Sequence, residues 1–199
     1  DGQVLITGFG GAGKTTLAAQ LTADWLDAGR GKVLYLYLGT HDAENTLAAI
    51  AAAFDAEQQA NAVDERARYA LLRQFIIDNE VSLLVFDDAW DKDGLRAALQ
   101  AVPNRTPVMV TSRQQYGHAF REVVTLSQLA PDAALKLLGH HARGQDTSDG
   151  DKLCERLAYL PYAVRLAGKR MQADEQSATE LLATFKTAHT LTVPHDFGE

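Results

Sequence analysis

Short runs of consecutive apolar residues punctuate the first two thirds of the chain, at residues 4–6, 33–38, 83–86 and 108–110, with residues 123–126 as a fifth. None alternates cleanly with polar positions. That pattern predicts strands buried on both faces, as in a parallel sheet with helices on each side. Between the runs the apolar spacing turns helical. Leu17, Leu21, Trp25 and Ala28 fall on one helix face, and Gly29 and Gly31 supply the stop. Further helices are predicted over residues 43–54, 65–77 and 95–99, the last closed by Pro103. Strand and helix in alternation mean right-handed βαβ crossovers and a doubly wound α/β sheet.

After Leu126 the strand signals stop. Helical spacing continues over residues 132–142, 149–159, 161–171 and 177–188, with a polar loop at 144–150 and an irregular stretch from Leu191. The expected organisation is therefore an α/β domain over residues 1–126 and a small all-α subdomain over 127–199. No internal repeat or low-complexity segment interrupts either part.

Composition narrows the functional classes. A formal net charge of −7 argues against non-specific nucleic-acid binding, which needs a basic surface. Apolar residues at 46% and charged residues at 23% are ordinary for a globular protein, and no apolar stretch is long enough to cross a membrane. The single cysteine, Cys154, lies in an apolar helical context and reads as a small core residue. A reducing cytoplasmic compartment is the expectation. The first residue is not Met and the first strand begins almost at once, so the chain reads as an excerpt of a longer protein.

The chemistry is concentrated where the first strand meets the first helix. Residues 8–16, Gly-Phe-Gly-Gly-Ala-Gly-Lys-Thr-Thr, follow the pattern G-x-x-x-x-G-K-[ST] between an apolar run and a helical stretch. Glycines let such a loop curl so that successive amides, from Gly11 to Thr16, point inward at an anion beside the positive end of the helix. Lys14 is expected on the β- and γ-phosphates and Thr15 in a Mg²⁺ shell. The third run ends Phe86-Asp87-Asp88-Ala89-Trp90, delivering two carboxylates to the strand edge where ligands of open parallel sheets bind. Asp87 is expected to hold Mg²⁺ through a water and Asp88 to orient an attacking water. An acidic turn capping the next helix is the competing account of Asp88. The fourth run ends Val110-Thr111-Ser112-Arg113, and an arginine there would face the γ-phosphate. Trp25 and Trp90 read as core residues.

These stretches, in this order, resemble the NB-ARC ATPases, the signal-transducing switches of the STAND class within the P-loop NTPases. Two later stretches extend the resemblance. Leu129-Ala-Pro-Asp-Ala-Ala-Leu-Lys-Leu-Leu138 is similar to the opening of the family's first ARC helix, and Leu157-Ala-Tyr-Leu-Pro-Tyr-Ala163 to its Gly-Leu-Pro-Leu-Ala motif. The resemblance implies that the strand leading to Arg113 lies between the phosphate-loop strand and the strand of Asp87. It also implies that Pro161 packs near the base and sugar. The implied ligand is ATP or ADP with Mg²⁺, ADP holding a closed state and ATP an open, oligomerising one. Effector and sensor domains would flank the segment, which is itself expected to be monomeric. Tyr159 stands where the family has Gly and Tyr162 where it has Leu, and none of His41, His118, His140, His141, His189 and His195 falls in a matching motif.

The expected catalytic set is Lys14, Asp87, Asp88 and Arg113. Nucleotide contacts are expected from Gly10, Gly11, Ala12, Gly13, Lys14, Thr15, Thr16, Arg113 and Pro161, and metal contacts from Thr15 and Asp87. A slow ATPase acting as a switch fits best. A small-molecule kinase on the same sheet is the alternative, although no arginine-rich lid insertion is present. A GTPase would need a guanine-reading Asn-Lys-x-Asp element, and residues 104–107, Asn-Arg-Thr-Pro, lack its carboxylate.

Overall fold

A computed structural model describes residues 2–61, 63–116 and 120–187. The chain divides into two compact units, Asp1–Leu126 and Ser127–Glu199. His118, His189, His195 and the stretch from Leu191 lie outside the described residues.

In the first unit the five apolar runs become β1 (Gln3–Gly8), β2 (Lys32–Tyr37), β3 (Val81–Asp87), β4 (Val108–Ser112) and β5 (Glu122–Leu126). They form one parallel sheet in the order β2-β3-β4-β1-β5. β4 therefore lies between β1 and β3, as the resemblance implied. Helices α1 (Lys14–Asp27), α2 (Ala43–Ala52), α4 (Glu65–Asp78) and α5 (Lys92–Gln100) occupy the crossovers, joined by a short α3 (Glu57–Asn61) that the sequence pattern did not announce.

Successive strand residues face opposite layers, and the layers are unequal. On one side Leu5, Leu84, Phe86, Val108 and Val110 pack with Ile50, Leu72, Ile76 and Leu95 from α2, α4 and α5. On the other, Ile6, Leu83 and Val85 meet α1 through Ala18, with Leu17 and Trp25 half-buried. Helix α1 leaves part of its predicted stripe in solvent: Leu21 is 41% exposed. Trp25 lies at the margin of this layer and donates its indole N–H to Ser82 Oγ at 3.0 Å. The edge strand β5 is similarly open, with Val123 and Val124 more than two-fifths exposed.

The second unit is helical: α6 (Pro131–Ala142), α7 (Gly150–Arg156), α8 (Pro161–Ala173) and α9 (Ala178–Thr187). They close over Leu138, Leu153, Val164, Met171 and Leu181, with Cys154 fully buried and its thiol pKa raised by that burial. Tyr159 adopts φ 55°, the left-handed conformation that explains why the related motif prefers glycine there. Pro161 occupies the first turn of α8, where its fixed φ suits a helix start. None of the helices among the described residues is long and apolar enough to cross a membrane.

Candidate functional site

The turn from β1 into α1 is built for close backbone approach. At Gly8, with φ 148°, a Cβ would stand 2.5 Å from the Leu126 carbonyl oxygen, so the strand can end there only without a side chain. Gly13 caps α1 in the left-handed conformation, without a side-chain hydrogen bond, and no acidic residue lies in the first turn. The three neighbouring crossover helices are finished differently. Asp42, Asp64 and Asp91 each accept a backbone N–H at the start of α2, α4 and α5. The positive end of α1 is thus left for something other than a protein carboxylate.

Lys14 lies within this turn and is only 7% exposed. Its Nζ donates to the carbonyls of Gly8 and Phe9 at 2.9 and 3.0 Å. Burial lowers its pKa first, then the nearby Arg113 cation, while Asp88 and Asp87 pull the other way. The local carboxylates therefore leave the ammonium under-compensated, and the cradle is short of negative charge. Ala12 is buried beneath the turn, whereas Gly10, Gly11, Thr15 and Thr16 face solvent.

Across from the loop, β3 delivers Asp87 almost wholly buried. Its Oδ1 accepts from Thr15 Oγ1 at 3.0 Å and from Thr111 Oγ1 at 2.5 Å. The same Thr111 oxygen accepts the backbone N–H of Asp88 at 2.8 Å. One threonine on β4 therefore fixes both carboxylate residues. Asp88 itself sits at φ 55°, and its Oδ2 accepts from Tyr37 Oη at 3.3 Å. The cap of α5 is Asp91, so the helix-capping account of Asp88 fails.

Tyr35 and Tyr37, on one face of β2, complete the carboxylate side. Tyr35 lies near Asp87, and its pKa is pushed up to about 12, first by burial and then by the Asp87 charge. Tyr37 is raised too, chiefly by Asp88. The folded state thus keeps the Tyr35 proton that an unfolded chain releases at 10.0. Its contribution to stability is intact below that pH and is lost as pH rises toward about 12. Tyr35→Phe is accordingly expected to flatten the loss of stability over this window, and to remove the latest-titrating phenolate, in urea melts and absorbance titrations.

Arg113, just past β4, reaches the loop because β4 is the neighbour of β1. A Cβ on Gly10 would stand 3.1 Å from its Nη1, so the guanidinium lies directly over the loop backbone. It stacks on the Trp90 ring at 4.7 Å. Trp90 is 38% exposed, which corrects its assignment to the core: an apolar residue at the strand edge serves a cation instead. Sequence reasoning also passed over Thr111, Tyr35 and Tyr37. Thr111 adjoins a motif already singled out, and the Tyr-x-Tyr spacing on a strand was the available signal for the other two.

Among the described residues no three His, Cys, Asp or Glu side chains gather as a metal cage. Mg²⁺ needs none here, since it is commonly held by one or two carboxylates together with substrate phosphates and waters. Asp87 and Thr15, one carboxylate and one hydroxyl already in contact, fit that donor set.

Comparison with known proteins agrees with this geometry. The family model described as the NB-ARC domain matches residues 1–148. The chain belongs to the NB-ARC family. Among solved structures, the NB-ARC domain is similar to Cdc6p from Pyrobaculum aerophilum, with 17% identity and a TM-score of 0.66 over 87% of this chain and 56% of that one. The Drosophila ORC bound to DNA is also similar, with 13% identity and a TM-score of 0.52 over 99% of this chain and 64% of that one. At such identities the likeness concerns the P-loop NTPase fold. The chain spans little more than half the length of the Cdc6p chain. No curated protein sequence matches it. As an NB-ARC domain with this fold, the chain is a nucleotide-binding P-loop NTPase module.

Proposed function

We propose that this NB-ARC domain is the ATP/ADP switch of a longer signalling protein, with slow Mg²⁺-dependent hydrolysis. The observation that carries the reading is the uncapped start of α1, with the under-compensated Lys14 inside it and the Thr15–Asp87 contact beside it. Backbone amides from Gly10 through Gly13 to Thr16 would hold the phosphates, and Lys14 would exchange its two carbonyl acceptors for phosphate oxygens. Thr15 and Asp87 would hold Mg²⁺, which when bound neutralises phosphate charge. Asp88, held by Thr111 and Tyr37, would orient a water, and Arg113 would meet a γ-phosphate. In the longer protein, exchange of ADP for ATP would open the resting state and drive self-association, coupling nucleotide to flanking effector and sensor domains.

Calorimetry with ADP, ATP and GTP in Mg²⁺ tests the proposal. Adenine nucleotides should bind more tightly than GTP. Arg113→Ala should leave ADP affinity in place while abolishing discrimination between ADP and ATP, because only the triphosphate presents a group to that guanidinium. A preference for GTP would refute the adenine assignment, and discrimination retained in the variant would end the γ-phosphate role.

A further inference from the structure

Arg113 is a cation held beside another cation. Lys14 is close enough for the two charges to repel, yet the guanidinium stays over Gly10. Among the described residues no carboxylate forms an ion pair with it. Asp88 and Asp87 offset part of the positive charge around Lys14, and the direct contact on the guanidinium is the face of Trp90, 4.7 Å from its carbon. An arginine stacked on an indole keeps its N–H edge free, so the stack positions the group without consuming its donors.

The residue that carries the indole is anchored through its backbone. Trp90 N–H donates to the Gly39 carbonyl at 3.0 Å, and its own carbonyl accepts from Tyr116 Oη at 2.8 Å. The adjoining Ala89 is tied to β4 through its N–H to Thr111 O and through Ser112 Oγ, which donates to the Ala89 carbonyl. The backbone that carries the ring is therefore fixed on the carboxylate loop, opposite an arginine from the next strand.

We infer that Trp90 is the positioning residue for Arg113, holding the guanidinium at the phosphate loop before any nucleotide arrives and so setting how strongly the site favours a triphosphate over a diphosphate. The second half of this inference rests on the γ-phosphate role of Arg113. The first half, the stack itself, does not. Without the indole, repulsion from Lys14 and the entropy of a long side chain release the guanidinium into solvent, and ATP must order it again on binding.

The test has two arms. In a Trp25→Phe background Trp90 is the sole tryptophan, since the chain contains two. Replacing Arg113 with Ala in that background should shift or brighten Trp90 emission in nucleotide-free protein. Unchanged emission would overturn the stack, whatever the site binds. In the second arm, Trp90→Leu should lower the ratio of ATP to ADP affinity about two- to fivefold, the range of an exposed cation–π contact. Trp90→Phe should recover part of that ratio. The anchors of this loop are backbone groups, so both variants retain them, and a melting curve of each confirms folding. Combined with Arg113→Ala, Trp90→Leu should change the ratio no further. An unchanged ratio in Trp90→Leu alone, or an equal loss with and without Arg113, would overturn the positioning role. If neither nucleotide binds the parent protein, the switch reading falls while the emission arm still decides the stack.

Discussion

Lys14→Ala is expected to weaken ADP and ATP binding at least ~100-fold while changing the stability of the nucleotide-free domain by less than ~1 kcal/mol. The asymmetry follows from the environment of the side chain. Hydrogen bonds between an ammonium and phosphate oxygens contribute about 1.5–3 kcal/mol each, and about 1.4 kcal/mol is a factor of ten in affinity. In the free protein Lys14 has only two backbone carbonyls as acceptors, and its lowered pKa records that burial and Arg113 oppose its charge. The sign is opposite to that of Tyr35. A lysine whose pKa is lowered on folding weighs against stability while charged, and that penalty is relieved as pH rises toward its ordinary value of 10.5. Removing the residue thus deletes a destabilising charge together with two modest hydrogen bonds. Calorimetry measures the first effect and urea unfolding the second. ADP affinity unchanged in the variant would remove the phosphate-loop assignment.

The parallel sheet was legible because its strands are short, continuous apolar runs, and the loop because glycine spacing, Lys14 and Thr15 sit between a strand and a helix. Strand order was not contained in the spacing; the place of β4 between β1 and β3 came from the resemblance. Other features were illegible for local reasons. The five residues of α3 are too few to show a period. Trp90 was assigned to the core because an isolated tryptophan after an apolar strand is normally there, and its partner Arg113 comes from a different strand. Asp88 and Asp91 are equally plausible caps on composition alone, and only the hydrogen bond from Gly94 N–H selects Asp91. Thr111 was quoted as part of a motif without a role, because a threonine at the end of a β-strand is unremarkable until its register places it opposite a carboxylate pair.

Gly94→Ala is expected to cost about 3 kcal/mol of stability, although helix propensity alone predicts a gain of about 1 kcal/mol. Gly94 lies in the first turn of α5 at an ordinary helical φ, so alanine meets no backbone strain there. The obstacle is steric. A Cβ would overlap the His41 backbone carbonyl oxygen and lie 3.0 Å from Thr46 Oγ1. Neither neighbour is the end of a flexible side chain: one is main chain, and the other is a short, fully buried side chain on α2. To admit the methyl group α5 must back away from α2, opening the packing of Leu47 and Ile50 against Leu95 and Ala98 in the larger core. Gly139 in α6 provides the control, since nothing lies within 4 Å of its Cβ position. There propensity is unopposed, and Gly139→Ala should stabilise by up to ~1 kcal/mol. Urea unfolding of the two variants reads the opposite signs directly. A Gly94→Ala domain as stable as its parent would show that α2 and α5 are not packed at this distance.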